Sequence, residues 1–190
     1  MTVDERIAKA EEYKAKGNEL FKEKNYKGAI GKYHRGLLYL KDIASPMESS
    51  QTMVLQMLGM AEGSNSKRML SNNNAELVKK LEINCYNNLA ACLLHQPEAN
   101  YEKVIYYCDC IISKMPNNTK AWYRKGVALY HIRAYEESKQ SLLTAQSHLS
   151  NTQDPNIKRY MLMCDAAIEK RLNDEKERYK GMFDNMDING

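Results

Sequence analysis

Apolar and small side chains recur every three or four positions along most of the chain, with charged residues between them, the pattern of amphipathic helices. From 4 to about 24 the series is Ile7, Ala10, Tyr13, Gly17, Leu20 and Phe21. A polar break at Lys24-Asn25 follows, and Tyr26, Ala29, Ile30, Tyr33, Gly36, Leu37 and Leu40 resume the pattern, which predicts a second helix antiparallel to the first. Gly17, Ala29 and Gly36 fall where the two helices would cross, so their small side chains let the backbones come close. Further on, Leu77, Val78, Leu81, Cys85, Leu89, Ala90, Leu93 and Leu94 predict a third helix to about 95, with Asn74 as its N-cap. Gln96-Pro97-Glu98 ends it, because proline lacks the N–H and disfavours helical geometry in the residue before it. Tyr101, Val104, Ile105, Cys108, Ile111 and Ile112 predict a fourth helix closed by Met115-Pro116.

The stretch 117–130 predicts a fifth. An asparagine caps it, and Trp122, Gly126, Leu129 and Tyr130 fall on one buried face. Glycine inside a helix costs about 1 kcal/mol relative to alanine, so Gly126 implies a neighbouring helix packed close to the backbone. A sixth helix runs from 135 to about 149 with Ser138, Leu142, Leu143 and Ala145 inward. Asp154-Pro155 supplies an N-cap and a first-turn proline for a seventh, whose stripe is Ile157, Tyr160, Met161, Cys164, Ile168, Leu172, Tyr179, Met182 and Phe183. The rhythm fails between 42 and 74, where Ser45-Pro46, Gly63-Ser64-Asn65-Ser66 and Ser71-Asn72-Asn73-Asn74 are loop chemistry. Most of this insertion is expected to be mobile, although Met53, Val54, Met57, Leu58 and Met60 are spaced to make a short amphipathic helix.

The helices repeat in pairs. Tyr101 and Tyr135 are 34 residues apart, as are Val104 and Ser138, and 34 is the length of a two-helix repeat. Each hairpin leaves an apolar face that only a neighbouring hairpin can cover, so three should stack and a final helix should cap the open end.

Charge narrows the function classes. The sequence has 190 residues, enough for one well-buried domain, and its 28 Lys+Arg against 24 Asp+Glu give a net charge of only +4. Such a balance provides no whole-molecule field for nonspecific binding to nucleic acid or membrane, so anion selectivity must be local. Local charge of the right kind is present: Lys120 and Arg124 are one helical turn apart on the side away from Trp122 and Gly126. The five cysteines are odd in number, lack zinc-ligand pairing and mostly sit in apolar helical patterns, which reads as reduced core thiols in a cytoplasmic protein. No apolar run approaches the ~18 residues that span a bilayer.

Three sets of residues resemble the tetratricopeptide repeat: Tyr13, Gly17, Leu20, Tyr26, Ala29, Tyr33 and Gly36; Tyr86, Ala90, Leu93, Tyr101, Val104, Cys108, Ile111 and Pro116; and Trp122, Gly126, Leu129, Tyr135, Ser138, Leu142 and Ala145. The third set has Ser150 where a closing proline is usual, and the second turn lacks its glycine. The resemblance implies an all-α, right-handed superhelix forming a single domain. Repeat one would span 10–43, a polar insertion 44–74, repeat two 75–116, repeat three 117–150, a capping helix 154–184 and a flexible tail 185–190. Within that superfamily the chain is similar to the tetratricopeptide repeat protein 9 family. The likeness rests on the long polar insertion, the run Cys85-Tyr86-Asn87-Asn88-Leu89-Ala90-Ala91-Cys92-Leu93-Leu94, Asn100-Tyr101-Glu102-Lys103-Val104 and the ending Tyr179-Lys180-Gly181-Met182-Phe183. The repeat domains of the large immunophilin co-chaperones are similar too.

That resemblance implies a binding site. Lys14 and Asn18 in repeat one, Asn88 in repeat two, and Lys120 and Arg124 in repeat three match the dicarboxylate clamp of co-chaperone repeat domains. In the family this clamp holds the carboxylates of the aspartate that closes a Glu-Glu-Val-Asp tail, as on heat shock proteins 90 and 70. The residue types suit the task. Arg124 makes charge-assisted bonds, the two lysines supply point charges, and the two amides donate N–H bonds without adding charge. Asn88 sits mid-helix, where asparagine is unfavourable by several tenths of a kcal/mol, so a role beyond helix formation is expected. The expected function is a non-catalytic co-chaperone-like adaptor without cofactor, metal, nucleic acid or membrane span. It is expected to be a monomer, and the alternative is a scaffold that binds an internal segment of another partner such as a cytoskeletal protein. His34, His95, His131 and His148 are scattered, Cys108-Asp109-Cys110 is a weak metal signal, and no phosphate loop or nucleophile elbow occurs.

Overall fold

The computed structural model describes residues 1–44, 72–149 and 154–186, and among them the secondary structure is helical. The stripe of methionines expected at Met53, Met57 and Met60, and the end of the tail, 187–190, lie outside the described residues. The chain divides into two compact units, Met1–Pro97 and Glu98–Gly190, so the boundary falls inside repeat two.

The first unit contains α1 (Val3–Lys22), α2 (Tyr26–Ala44) and α3 (Asn72–Leu94). Helix α1 starts at a capping box: the Thr2 side chain accepts from the Glu5 N–H at 3.2 Å, and the Glu5 carboxylate accepts from the Thr2 N–H at 2.8 Å. It ends in a Schellman arrangement. Asn25 N–H bonds to Leu20 O, Lys24 N–H bonds to Phe21 O, and Lys24 takes the left-handed conformation at φ 60°. Asn25 then accepts from the Gly28 N–H at 3.0 Å, so one short turn both closes α1 and opens α2. Ile7 and Ala10 of α1, Leu40 and Ile43 of α2, and Val78 and Leu81 of α3 form a buried cluster where the three helices meet. Gly36 lies where α2 passes close to the α1 backbone. A methyl there would lie 3.3 Å from the Ala10 carbonyl oxygen and 3.7 Å from Cys85 Sγ.

Helix α3 begins at Asn72, two residues before the expected cap. Asn74 lies inside the helix, and its amide donates to the Asp4 carboxylate at 2.9 Å. Asn72, Asn73 and Asn74 all lie within the helix, so none of the three is its cap. Burial on α3 is also broader than one stripe, because Ile83 and Cys92 are buried with the expected positions.

The second unit contains α4 (Tyr101–Lys114), α5 (Thr119–His131), α6 (Tyr135–Ser147) and α7 (Pro155–Met186). Asn100, Asn118 and Asp154 cap α4, α5 and α7, accepting from Lys103, Ala121 and both Asn156 and Ile157 N–H groups respectively. The α5–α6 turn repeats the Schellman bonds of the first hairpin, Ala134 N–H to Leu129 O and Arg133 N–H to Tyr130 O, with Arg133 at φ 66°. Leu142 and Ala145 of α6 pack with Ile157 and Cys164 of α7, flanked by Trp122, Tyr130 and Tyr160. Complete burial of a leucine such as Leu142 contributes about 1.5–3 kcal/mol.

Three inward assignments are corrected. Leu143 is 42 % exposed while Leu142 and Ser141 are buried, because the buried face of α6 runs through Ser138, Leu142 and Ala145 at steps of four and three, and Leu143 is turned about 100° beyond it. Leu172 and Tyr179 are 47 % and 63 % exposed. Helix α7 has 32 residues against 13 in α6, so its apolar stripe outlasts the helix it packs on.

Candidate functional site

In the first unit the periodicity that buries Ile7, Ala10 and Gly17 of α1 leaves Lys14 and Asn18 half-buried on successive turns. Asn88, on α3, donates from Nδ2 to Asn18 Oδ1 at 2.9 Å. The Tyr33 hydroxyl of α2 donates to the same oxygen, also at 2.9 Å. Lys14, Asn18 and Asn88 are thus brought together, with Tyr33 beneath them. Gly17 makes room for the tyrosine: a methyl at that position would lie 2.6 Å from the Tyr33 ring. Cys85, one turn before Asn88, is fully buried. Burial pushes its thiol up to about 12 against the opposing pull of the Lys14 charge, which places the ammonium within electrostatic reach of α3.

Neighbouring lysines on α1 are engaged elsewhere. Glu12 accepts from Lys16 and from Lys9, each at 2.7 Å, and these bonds hold its carboxyl down at about 2. The cationic cluster of α1 is therefore divided, with Lys9 and Lys16 sharing Glu12 on the exposed side and Lys14 within electrostatic reach of Cys85.

In the second unit Lys120 is exposed in the first turn of α5, and Arg124 follows one turn later, half-buried. Burial pushes the Cys108 thiol up to about 12, and the Arg124 guanidinium is the foremost charge opposing that rise, so the side chain lies near α4. Lys125 has a different role. It pairs with Asp109 at 2.6 Å and sits 5.7 Å from the centre of the Trp122 ring, while the Trp122 indole N–H donates to the Pro116 carbonyl at 2.6 Å. These bonds tie α5 to α4 and to the turn between them, and so fix the rotation of α5 that presents Lys120 and Arg124.

The hydroxyl of Tyr33 is the part of this constellation that reading the sequence missed. Tyr33 was legible only as a core aromatic. The available signal was the choice of tyrosine over phenylalanine at a buried helix position, since a buried phenol needs a partner. The cysteines meet expectation: Cys85, Cys92, Cys108 and Cys164 are buried and all five are free thiols. Among the described residues no helix is long and apolar enough to cross a membrane.

Paired helices closed by tight polar turns, small residues at the crossings and tyrosines at matching positions define a tetratricopeptide-repeat protein. The chain belongs to the tetratricopeptide repeat protein 9 family. It is 36 % identical to tetratricopeptide repeat protein 9C of Xenopus tropicalis over 182 residues, which is 95 % of this chain and 96 % of that protein. Among solved structures it is similar to the C-terminal TPR-containing domain of a Plasmodium falciparum FK506-binding protein, with a TM-score of 0.71 at 24 % identity, covering 91 % of this chain and 97 % of that one. It is also similar to the Hsp90 co-chaperone Cns1 of Saccharomyces cerevisiae, with a TM-score of 0.62 at 23 % identity over 90 % of this chain and 43 % of that one. No protein-family model matches the chain.

Proposed function

We propose that the chain is a non-catalytic, cytoplasmic adaptor that binds the C-terminal Glu-Glu-Val-Asp tail of heat shock protein 90 or heat shock protein 70. Lys14, Asn18 and Asn88 of the first unit and Lys120 and Arg124 of the second would be the carboxylate ligands of its single repeat domain. The observation that carries this reading is the 2.9 Å bond from Asn88 to Asn18, with Lys14 one turn away on α1. Two helices thus contribute amides beside a cation, a donor set matched to carboxylate oxygens. The pairing of Lys120 with Arg124 one turn apart on α5 supports it, as does similarity to the fold of an Hsp90 co-chaperone.

The test is calorimetric titration with a peptide ending in Glu-Glu-Val-Asp, as the free acid and as the C-terminal amide. A carboxylate clamp binds the acid and loses the amide. Equal binding of both would overturn the clamp and favour the scaffold that takes an internal segment of a partner such as a cytoskeletal protein.

A further inference from the structure

A primary amide in a carboxylate site can work for or against binding, because its N–H2 attracts the anion and its oxygen repels it, while the two ends have nearly the same shape. Asn18 carries that ambiguity, and its surroundings remove it. Its oxygen accepts from Tyr33 Oη and from Asn88 Nδ2, both at 2.9 Å, so the N–H2 group is turned the other way. A flipped Asn18 would face the Asn88 N–H2 with its own N–H2. If Asn88 flipped with it, the Tyr33 hydroxyl would lose the Asn18 oxygen that accepts from it at 2.9 Å, in a place where the side chain is 1 % exposed. Burial also pushes the Tyr33 hydroxyl well above the ordinary tyrosine range, so it remains a donor throughout neutral pH.

We infer that Tyr33 is a positioning residue for the carboxylate site: its buried hydroxyl, acting with Asn88, locks the Asn18 amide so that the N–H2 faces the incoming carboxylate. The inference rests on the clamp reading above for the identity of the ligand, and on the two bonds to Asn18 for the lock. The ring itself packs against Gly17 and would do so equally as phenylalanine, so the role belongs to the hydroxyl alone.

Tyr33→Phe tests this. Against the Glu-Glu-Val-Asp free acid the variant should bind about five- to tenfold more weakly, the worth of one well-placed hydrogen bond, with binding of the amide unchanged and the melting temperature close to that of the parent. In an Asn18→Ala background the same change should alter affinity by less than about twofold, because the group it positions is gone. Unaltered affinity in Tyr33→Phe, or an equal loss with and without Asn18, would overturn the inference. The Asn18 side-chain amide signals of the peptide-free protein, followed by NMR, separate the two readings. If the parent protein fails to distinguish acid from amide, the clamp falls, and the lock still stands or falls on whether Tyr33→Phe shifts and broadens those signals.

Discussion

Ser138, in the first turn of α6, donates its hydroxyl to the Gly126 carbonyl oxygen in the middle of α5 at 2.7 Å, and the Cys164 thiol of α7 donates to the Ser138 oxygen at 3.3 Å. A methyl on Gly126 would lie 2.7 and 2.8 Å from Leu142 Cγ and Cδ2. Leu142 is fully buried and cannot retreat, so Gly126→Ala should destabilise the protein by about 1–3 kcal/mol. Ser138→Ala should cost about 1 kcal/mol, since the carbonyl it bonds also sits within the helical ladder. Gly31 has nothing within 4 Å of its absent methyl, and Gly31→Ala should stabilise by up to about 1 kcal/mol. Urea unfolding midpoints would rank the three, and a Gly126→Ala protein as stable as its parent would contradict the close crossing of α5 and α6.

The two left-handed turn residues offer an independent test. Lys24 and Arg133 hold φ 60° and 66°, a conformation that costs an L-residue about 1–2 kcal/mol and glycine almost nothing. Glycine also loses more entropy on folding, so Lys24→Gly and Arg133→Gly should each give a net gain of about 0.5–1 kcal/mol. Thermal melts would register it as a rise of a few degrees.

Thiol chemistry should follow burial. Cys85 and Cys108 are held as neutral thiols up to about 12, so a thiol reagent at pH 8 should modify the partly exposed Cys110 first and spare them until the chain unfolds. Their folded values lie above the unfolded value of 9.0, so the stabilisation they contribute is complete below pH 9 and is lost as pH rises through about 12. Unfolding free energies measured from pH 8 to 11 should therefore fall, and Cys85→Ala with Cys108→Ala should flatten the slope.

On the clamp reading, Lys120→Ala or Arg124→Ala should weaken binding of the free-acid tail by roughly 2–4 kcal/mol while leaving helical content unchanged. Affinity should also decrease as salt is added, because several charges converge on one anionic terminus. Full affinity in both variants, measured by calorimetry, would remove the clamp.

Local physics explains which features were legible in the sequence. The caps at Asn118 and Asp154, the crossings at Gly36 and Gly126 and the break at Lys24-Asn25 each follow from one residue and its near neighbours. What escaped depends on distant partners. Asn74 lies inside its helix and bonds to Asp4, 70 positions away in sequence but adjacent in the fold. The Tyr33 hydroxyl has meaning only once α1 and α3 bring Asn18 and Asn88 together. The five candidate ligands were legible as types and spacings, and the bonds that orient the amides were not.

From Glu169 to Lys180 every side chain of α7 is exposed, while Ile157 and Cys164 near its start are buried and Arg171 reaches back to Glu136. A segment of this length would be marginal as a helix on its own in water, because nucleation is costly below about 12–15 residues. Here the buried turns provide the nucleus and the remainder only propagates from it. Helicity along α7 should therefore decay gradually, with amide protons exchanging faster from one turn to the next toward Lys180, so that a single continuous helix contains both a clamped end and a fraying one.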